Sequence, residues 1–250
     1  MSGRVPCVVA VVVALALTCA TAEDRRRRSL AEDLRVDRIA PGVWRHESVQ
    51  RQGELGPVAA NGLIVVGRSA AALVDTPWTD GQTALLFDWV RASFDVEIEH
   101  VVVTHSHADC SGGLAEAHRR GARSYGHRAT AEIARAGRAP EPGVTFADEH
   151  RIDLDGTGLE LRYFGAGHTR DNIVVWISPA KVLFGGCLVK PEGAGAGYIG
   201  EADLAAWPDT VRAVLAAFPE ARVVVPGHGE PGTLDYLRYT IRFTTELGAR

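Results

Sequence analysis

The sequence is short of cysteine, carries no excess of positive charge and has no apolar run long enough to span a bilayer comfortably. Each shortage excludes something. Of four cysteines in 250 residues, Cys7 and Cys19 fall in an N-terminal segment expected to be removed, leaving Cys110 and Cys187. Two cysteines in an exported chain would ordinarily suggest a disulfide. Both, however, sit in stretches rich in metal-ligand residue types, so they read as chemistry and not as a crosslink. A net charge of −4 argues against a nucleic-acid partner. No cluster of oxygen donors suited to calcium or magnesium is evident. What remains, with 46% hydrophobic and 23% charged residues, is a soluble globular chain long enough to bury a sizeable core.

The N-terminus bears on location. Arg4 precedes an apolar core, Val8 to Leu17, which is too short for a stable membrane span. Ala20-Thr21-Ala22 then offers a small-residue cleavage site. Residues 1–22 are therefore expected to be a secretory signal, with the protein acting in the periplasm. A lipid anchor on Cys19 is a weaker alternative, because Leu17-Thr18 leads poorly into a lipidated cysteine. Residues 23–35, containing Arg25 to Arg28, are expected to be a flexible basic leader. Residues 36–250 are then expected to be a single catalytic domain, acting as a monomer.

Hydrophobic patterning gives the architecture. Val43–His46, Gly62–Val66, Ala71–Asp75, Val101–Val103, Leu159–Phe164, Ile173–Ile177, Val182–Phe184 and Val223–Val225 read as strands. A polar segment, Gln50 to Pro57, makes a hairpin tip. Thr79-Asp80-Gly81-Gln82 has capping-box spacing and starts a helix bearing Leu85, Leu86, Trp89, Val90 and Phe94. A further strand and helix pass through Tyr125 and Ile133. Leu204–Phe218 reads as helical, with Pro208 kinking it or resetting its start, and Leu234–Leu247 closes the chain as a helix. Strands and helices alternate in both halves with no linker between them. The fold class is α/β, a four-layer arrangement of two facing sheets with helices outside each.

The chemistry centres on Val101-Val102-Val103-Thr104-His105-Ser106-His107-Ala108-Asp109. His-x-His-x-Asp directly after an apolar strand places three metal-binding side chains on one rigidly held turn. Three other stretches display a polar residue just beyond a strand. These are His168 in Gly165-Ala166-Gly167-His168-Thr169, Cys187 after Gly185-Gly186, and His228 in Pro226-Gly227-His228-Gly229. Four His, one Asp and one Cys suffice for two metals with an open position at each. Imidazole and thiolate suit zinc, with carboxylate an acceptable partner.

These motifs, with Asp171-Asn172 after His168 and Lys190 three residues beyond Cys187, resemble the metallo-β-lactamases. More narrowly, they resemble the di-zinc subclass whose second metal has a Cys ligand. The likeness runs from about Val43 to the C-terminus and includes Ala60–Val65 and Val74–Trp78. It implies the family's αβ/βα sandwich with a site in a groove at one edge of the sheets. It also implies two Zn2+ ions, the first on His105, His107 and His168 and the second on Asp109, Cys187 and His228. By the same resemblance Lys190 receives the substrate carboxylate, and Asp75 supports the ligands from behind. His46, His100, His118, His127 and His150 match no ligand position and read as surface or packing residues.

Two positions depart from the subclass. Cys110 stands where Arg is common, and Tyr198 stands roughly where an Asn often polarises the lactam carbonyl. Cys110 lies beside a ligand at a helix start, where partial positive charge would favour an oxidant-sensitive thiolate; the alternative is a buried, inert thiol. The resemblance implies hydrolysis of the β-lactam amide of penicillins, cephalosporins and carbapenems, and hence antibiotic resistance. The nucleophile would be a zinc-bound bridging hydroxide, available at neutral pH because zinc lowers the pKa of water to about 7. Thioester, lactone or phosphoester hydrolysis by the same superfamily, or a zinc- or thiol-binding module without turnover, are the alternatives.

Overall fold

The computed structural model describes residues 27–249, so the expected signal and cleavage site lie outside the described residues. Five strands run antiparallel in succession: β1 (Arg27–Ala31), β2 (Leu34–Ala40), β3 (Val43–Arg51), β4 (Pro57–Val66) and β5 (Ala70–Val74). Helix α1 (Asp80–Phe94) crosses over to β6 (Glu97–Val103), parallel to β5. Short helices α2 (Ala108–Ser111) and α3 (Leu114–Arg119) lead to β7 (Arg123–His127), and α4 (Arg128–Gly137) leads to β8 (Val144–Phe146). Together β1 to β8 make one sheet whose spatial order is the chain order.

The second sheet contains β9 (Glu149–Leu154), β10 (Thr157–Tyr163), β11 (Ile173–Ile177), β12 (Val182–Gly186) and β13 (Val223–Pro226), in the order β13-β12-β11-β10-β9. Helix α5 (Trp207–Ala217) precedes β13, and α6 (Asp235–Gly248) ends the described chain. Among the described residues no helix is long and apolar enough to cross a membrane.

Strand alternation explains the layers. In β11, Ile173, Val175 and Ile177 face the core between the sheets, while Val174 and Trp176 face α5 and α6. In β5, Ala72 and Val74 point inward, while Ala71 and Leu73 pack outward with Leu86 and Val90 of α1. Strands buried on both faces read as continuous apolar runs, which is why Val101–Val103 and Val223–Val225 were legible as strands. The expected four-layer α/β sandwich is what the chain forms.

Local signals explain the helix ends. Thr79 caps α1, its hydroxyl accepting from Gln82 N–H at 3.2 Å. Leu85 lies outside the buried stripe, at 41% exposure. Pro208 stands in the first turn of α5 and resets its start to Trp207, since a proline there forfeits no intrahelical hydrogen bond.

One expectation needs correcting. Residues 23–35 were expected to be a flexible leader, but Arg27–Ala31 is the edge strand β1, paired antiparallel to β2. Leu34 and Val36 are buried in the outer core with Leu30 and Ala31 packed against them, and this apolar contact helps hold β1 in place.

Candidate metal centre

The turn after β6 is held from below. Asp75, fully buried at the end of β5, adopts the left-handed conformation (φ 56°). Its carboxylate accepts from Thr104 N–H and Thr104 Oγ1, each at 2.7 Å, fixing the residue before His105. Burial raises the Asp75 carboxyl to about 7, against the lowering influence of His105 and Thr104. His46 contacts the Asp75 carbonyl through Nε2 at 2.9 Å, and burial lowers its own pKa to about 4. It packs, as expected, but inside the molecule and against a residue under the site. From the other sheet, Asp171 Oδ2 accepts from Ser106 N–H and Thr130 Oγ1, both at 2.9 Å.

His105, His107 and His168 converge, with ring centroids 4.6 to 5.2 Å apart. His168 sits on the turn between β10 and β11. The Asn172 side chain braces that turn, accepting from Thr169 N–H at 3.0 Å and donating to Gly165 O at 2.9 Å. His107 Nε2 lies 2.9 Å from Glu201 Oε2, which leaves Nδ1 free on that ring. Nothing in the sequence marked Glu201. Burial, then His105, Lys190 and His107, lower the His168 pKa to about 2, so its lone pair is available at neutral pH.

Asp109, Cys187 and His228 form the second cluster. Cys187 Sγ lies 3.4 Å from both Asp109 Oδ2 and His228 Nε2, and His228 Nε2 lies 3.3 Å from Asp109 Oδ2. His228 Nδ1 donates to Ala59 O at 2.6 Å, turning Nε2 inward. Cys187 and then Asp109 raise the His228 pKa to about 11. Cys110, facing Cys187, and His228 hold the Cys187 thiol well below its ordinary value. Asp109 is likewise depressed: its burial is outweighed by His228, His105 and His107.

Of the two readings of Cys110, the surroundings favour the buried, neutral thiol. It is 2% exposed, and burial, followed by Cys187, Asp109 and Asp75, pushes its thiol well above the ordinary value. Helix α2 is a single turn, and its weak positive end is outweighed by two carboxylates and a neighbouring sulfur.

The donor set fits zinc. Buried His105 Nε2 has no hydrogen-bond partner. Such an orphaned buried nitrogen is costly unless it has a ligand to bind. Imidazole, carboxylate and sulfur atoms of His105, Asp109, Cys110 and Cys187 lie within 4.8 Å of one another, as do those of His105, His107 and His168.

A cavity of about 700 Å3 opens over both clusters, with His107, Asp109, His168 and His228 in its floor. Lys190 lines one wall. It is 7% exposed, its Nζ 5.5 Å from the Trp207 ring, its backbone N–H donating to Thr240 Oγ1 of α6 at 2.8 Å. Burial lowers the Lys190 pKa, opposed by Cys187 and Asp109. Tyr198, 61% exposed, stands at the rim with its ring 5.6 Å from that of His107. Leu55, at the β3–β4 hairpin tip, and Trp78 also line the cavity. Of the expected site residues, His107, Asp109, His168, Lys190, Tyr198 and His228 line this cavity, His105, Cys110 and Cys187 are buried among the clustered donors, and Asp75 lies under the ligand turn.

The chain is similar to known proteins over most of its length. Residues 55–228 match the family model described as "Metallo-beta-lactamase superfamily". The chain is 39% identical over 212 residues to a "Metallo-beta-lactamase type 2" of Bacteroides fragilis, covering 84% of this chain and 85% of that protein. It is 32% identical over 209 residues to the protein of the same name from Pseudomonas aeruginosa, covering 83% of each. The solved structure of a metallo-β-lactamase from Pontibacter korlensis superposes with a TM-score of 0.81 at 35% identity, covering 85% of this chain and 99% of that one. With two facing sheets, a cavity lined by His107, Asp109, His168 and His228, and relatives matched over most of their length, this chain belongs to the metallo-β-lactamase superfamily.

Proposed function

We propose that this enzyme hydrolyses the β-lactam amide bond of penicillins, cephalosporins and carbapenems using two zinc ions, and so confers antibiotic resistance. The observation that carries this reading is the pair of donor clusters, His105/His107/His168 and Asp109/Cys187/His228, each presenting members to one cavity that His107, Asp109, His168, His228 and Lys190 line. Zinc, when bound, supplies an activated water and polarises the carbonyl under attack.

The chain's own residues do the rest. His168 enters the first cluster unprotonated and needs no deprotonation to act as a ligand. The Cys187 sulfur and the Asp109 carboxylate both favour their anionic forms, so the second cluster draws a cation with a soft and a hard donor. Lys190, fixed by Thr240 and Trp207, offers its ammonium to the substrate carboxylate. The apolar surfaces of Leu55, Trp78 and Tyr198 cover substrate from above and keep bulk water off the reacting bond. Tyr198 takes the substrate-facing position beside His107. Asp75 and Cys110 support the ligand turn from beneath it.

An N-terminal signal and a periplasmic workplace fit a substrate met outside the cytosol, and a monomer suffices because one chain supplies all six ligands. Purified protein assayed on a penicillin, a cephalosporin, a carbapenem, a thioester and a lactone tests the substrate assignment. Turnover confined to the lactams supports it, and turnover confined to the thioester or lactone overturns it.

A further inference from the structure

Arg45 is among the largest fully buried side chains of the molecule, yet it belongs to neither ligand cluster. It projects from β3, and its guanidinium is spent on two things. Nε and Nη2 donate to Asp37 Oδ1 of neighbouring β2 at 3.1 and 2.9 Å. Nη1 donates to Gly229 O at 3.3 Å, and Nη2 pairs with Glu230 Oε2 at 2.9 Å. Gly229 and Glu230 immediately follow His228.

The turn carrying His228 is built to be held from outside. Gly229 has φ 89°, a conformation in which an L side chain is strained. A methyl group at Gly227 would run into Cys187 Sγ, so the turn already sits as close to the second cluster as backbone can. Asn61 of β4 donates from Nδ2 to Pro226 O at 2.9 Å and to Gly229 O at 2.6 Å, and from N to Gly227 O at 2.8 Å. The Gly229 carbonyl therefore receives both Asn61 and Arg45. Asn61 fixes the start of the turn, and Arg45 and Glu230 fix its end. A charge-assisted fork that grips a carbonyl and the adjacent carboxylate sets direction as well as distance.

We infer that Arg45, with Glu230, is a positioning residue for His228 that determines how tightly the Asp109/Cys187/His228 cluster retains its metal. The inference rests on the ligand reading above. Asp37 keeps the buried guanidinium paired but never touches the turn, so it separates positioning from mere charge compensation.

Cobalt(II) added to metal-stripped protein is the probe, since a thiolate-to-cobalt charge-transfer band reports occupancy at Cys187 independently of turnover. Glu230→Ala, at a side chain 66% exposed, should fold normally and weaken cobalt binding at the thiolate site severalfold. Arg45→Met should weaken it by roughly ten- to a hundredfold, in the range usual for groups that orient a ligand. Asp37→Asn should lower Tm with the band titrating as in the unaltered protein. If Arg45→Met does not fold, Glu230→Ala decides. Unchanged thiolate-site affinity in the folded Arg45 and Glu230 variants, with the band lost in His228→Ala, overturns the inference alone. A band that survives in His228→Ala with unaltered affinity overturns the ligand reading and the inference with it.

Discussion

Cys187 Sγ lies 3.4 Å from His228 Nε2, and this closeness of two groups 41 residues apart favours thiolate on one and imidazolium on the other. Cys187 is held below its ordinary value and His228 is raised to about 11.

The sign of the pH dependence in the metal-free protein follows from both groups. His228 contributes stability that is complete below its unfolded value of 6.5 and lost as pH rises towards 11. Cys187 contributes stability that is complete above its unfolded value of 9.0 and lost as pH falls. Between those values the two slopes cancel. Denaturation of metal-stripped protein should therefore show a plateau from about pH 6.5 to 9 from this pair, with decline on either side. The ultraviolet absorbance of the thiolate should persist at neutral pH and shift its titration upward in His228→Ala. Coincident thiol titrations in the two proteins would count against the pairing.

Cys187→Ser replaces an anionic soft donor with a neutral hydroxyl. Bound zinc, measured by elemental analysis, should fall from near two per chain towards one, with the His105/His107/His168 site still filled. Two zincs retained by the variant at ordinary zinc concentration would contradict the assignment.

Cys110 is a neutral, buried thiol in the same donor cluster as Cys187, their sulfurs within 4.8 Å. Zinc on Cys187 should shield both. Treated with diamide, metal-stripped enzyme should lose two thiols per chain, their two electrons and two protons passing to the diamide as one intramolecular disulfide forms. Zinc-loaded enzyme should keep both thiols over the same time. Equal rates in the two forms would show that the metal does not engage Cys187.

Lys190→Ala removes one charge-assisted hydrogen bond of about 1.5–3 kcal/mol, so kcat/KM should drop about ten- to a hundredfold. The carboxylate is held in ground and transition states alike, so the loss should lie mostly in KM. Zinc content should not change. A substrate with its carboxylate esterified should lose little further activity in the variant. An equal loss on ester and acid would remove Lys190 from the anchor role.

How much of this was legible from residues alone depends on where the information lies. The doubly buried strands announced themselves because both faces are apolar, as in Ile173–Ile177. His105, Cys187 and His228 were visible because each follows such a strand, whereas His168 follows the half-buried β10 and stood out by its glycine-rich turn. The pairing of β1 was not, since RRSLA shows little alternation and its anchoring comes from Leu34 and Val36 on the next strand. The acid behind His107 was missed for a related reason: Glu201 is 94 residues away in a loop with no periodic signal. The state of Cys110 stayed open between thiolate and inert thiol, because only the fold brings the carboxylate of Asp75 beside it. Arg45 read as one more strand residue, and its grip on Gly229 spans 184 residues.

The most direct test of the central claim is a zinc titration of chelator-stripped enzyme, followed by hydrolysis of a penicillin and by bound metal in the same samples. Activity should be absent without metal, should return in step with zinc bound, and should be indifferent to a serine-directed inactivator. Hydrolysis that persists at full rate in the stripped protein would contradict the account.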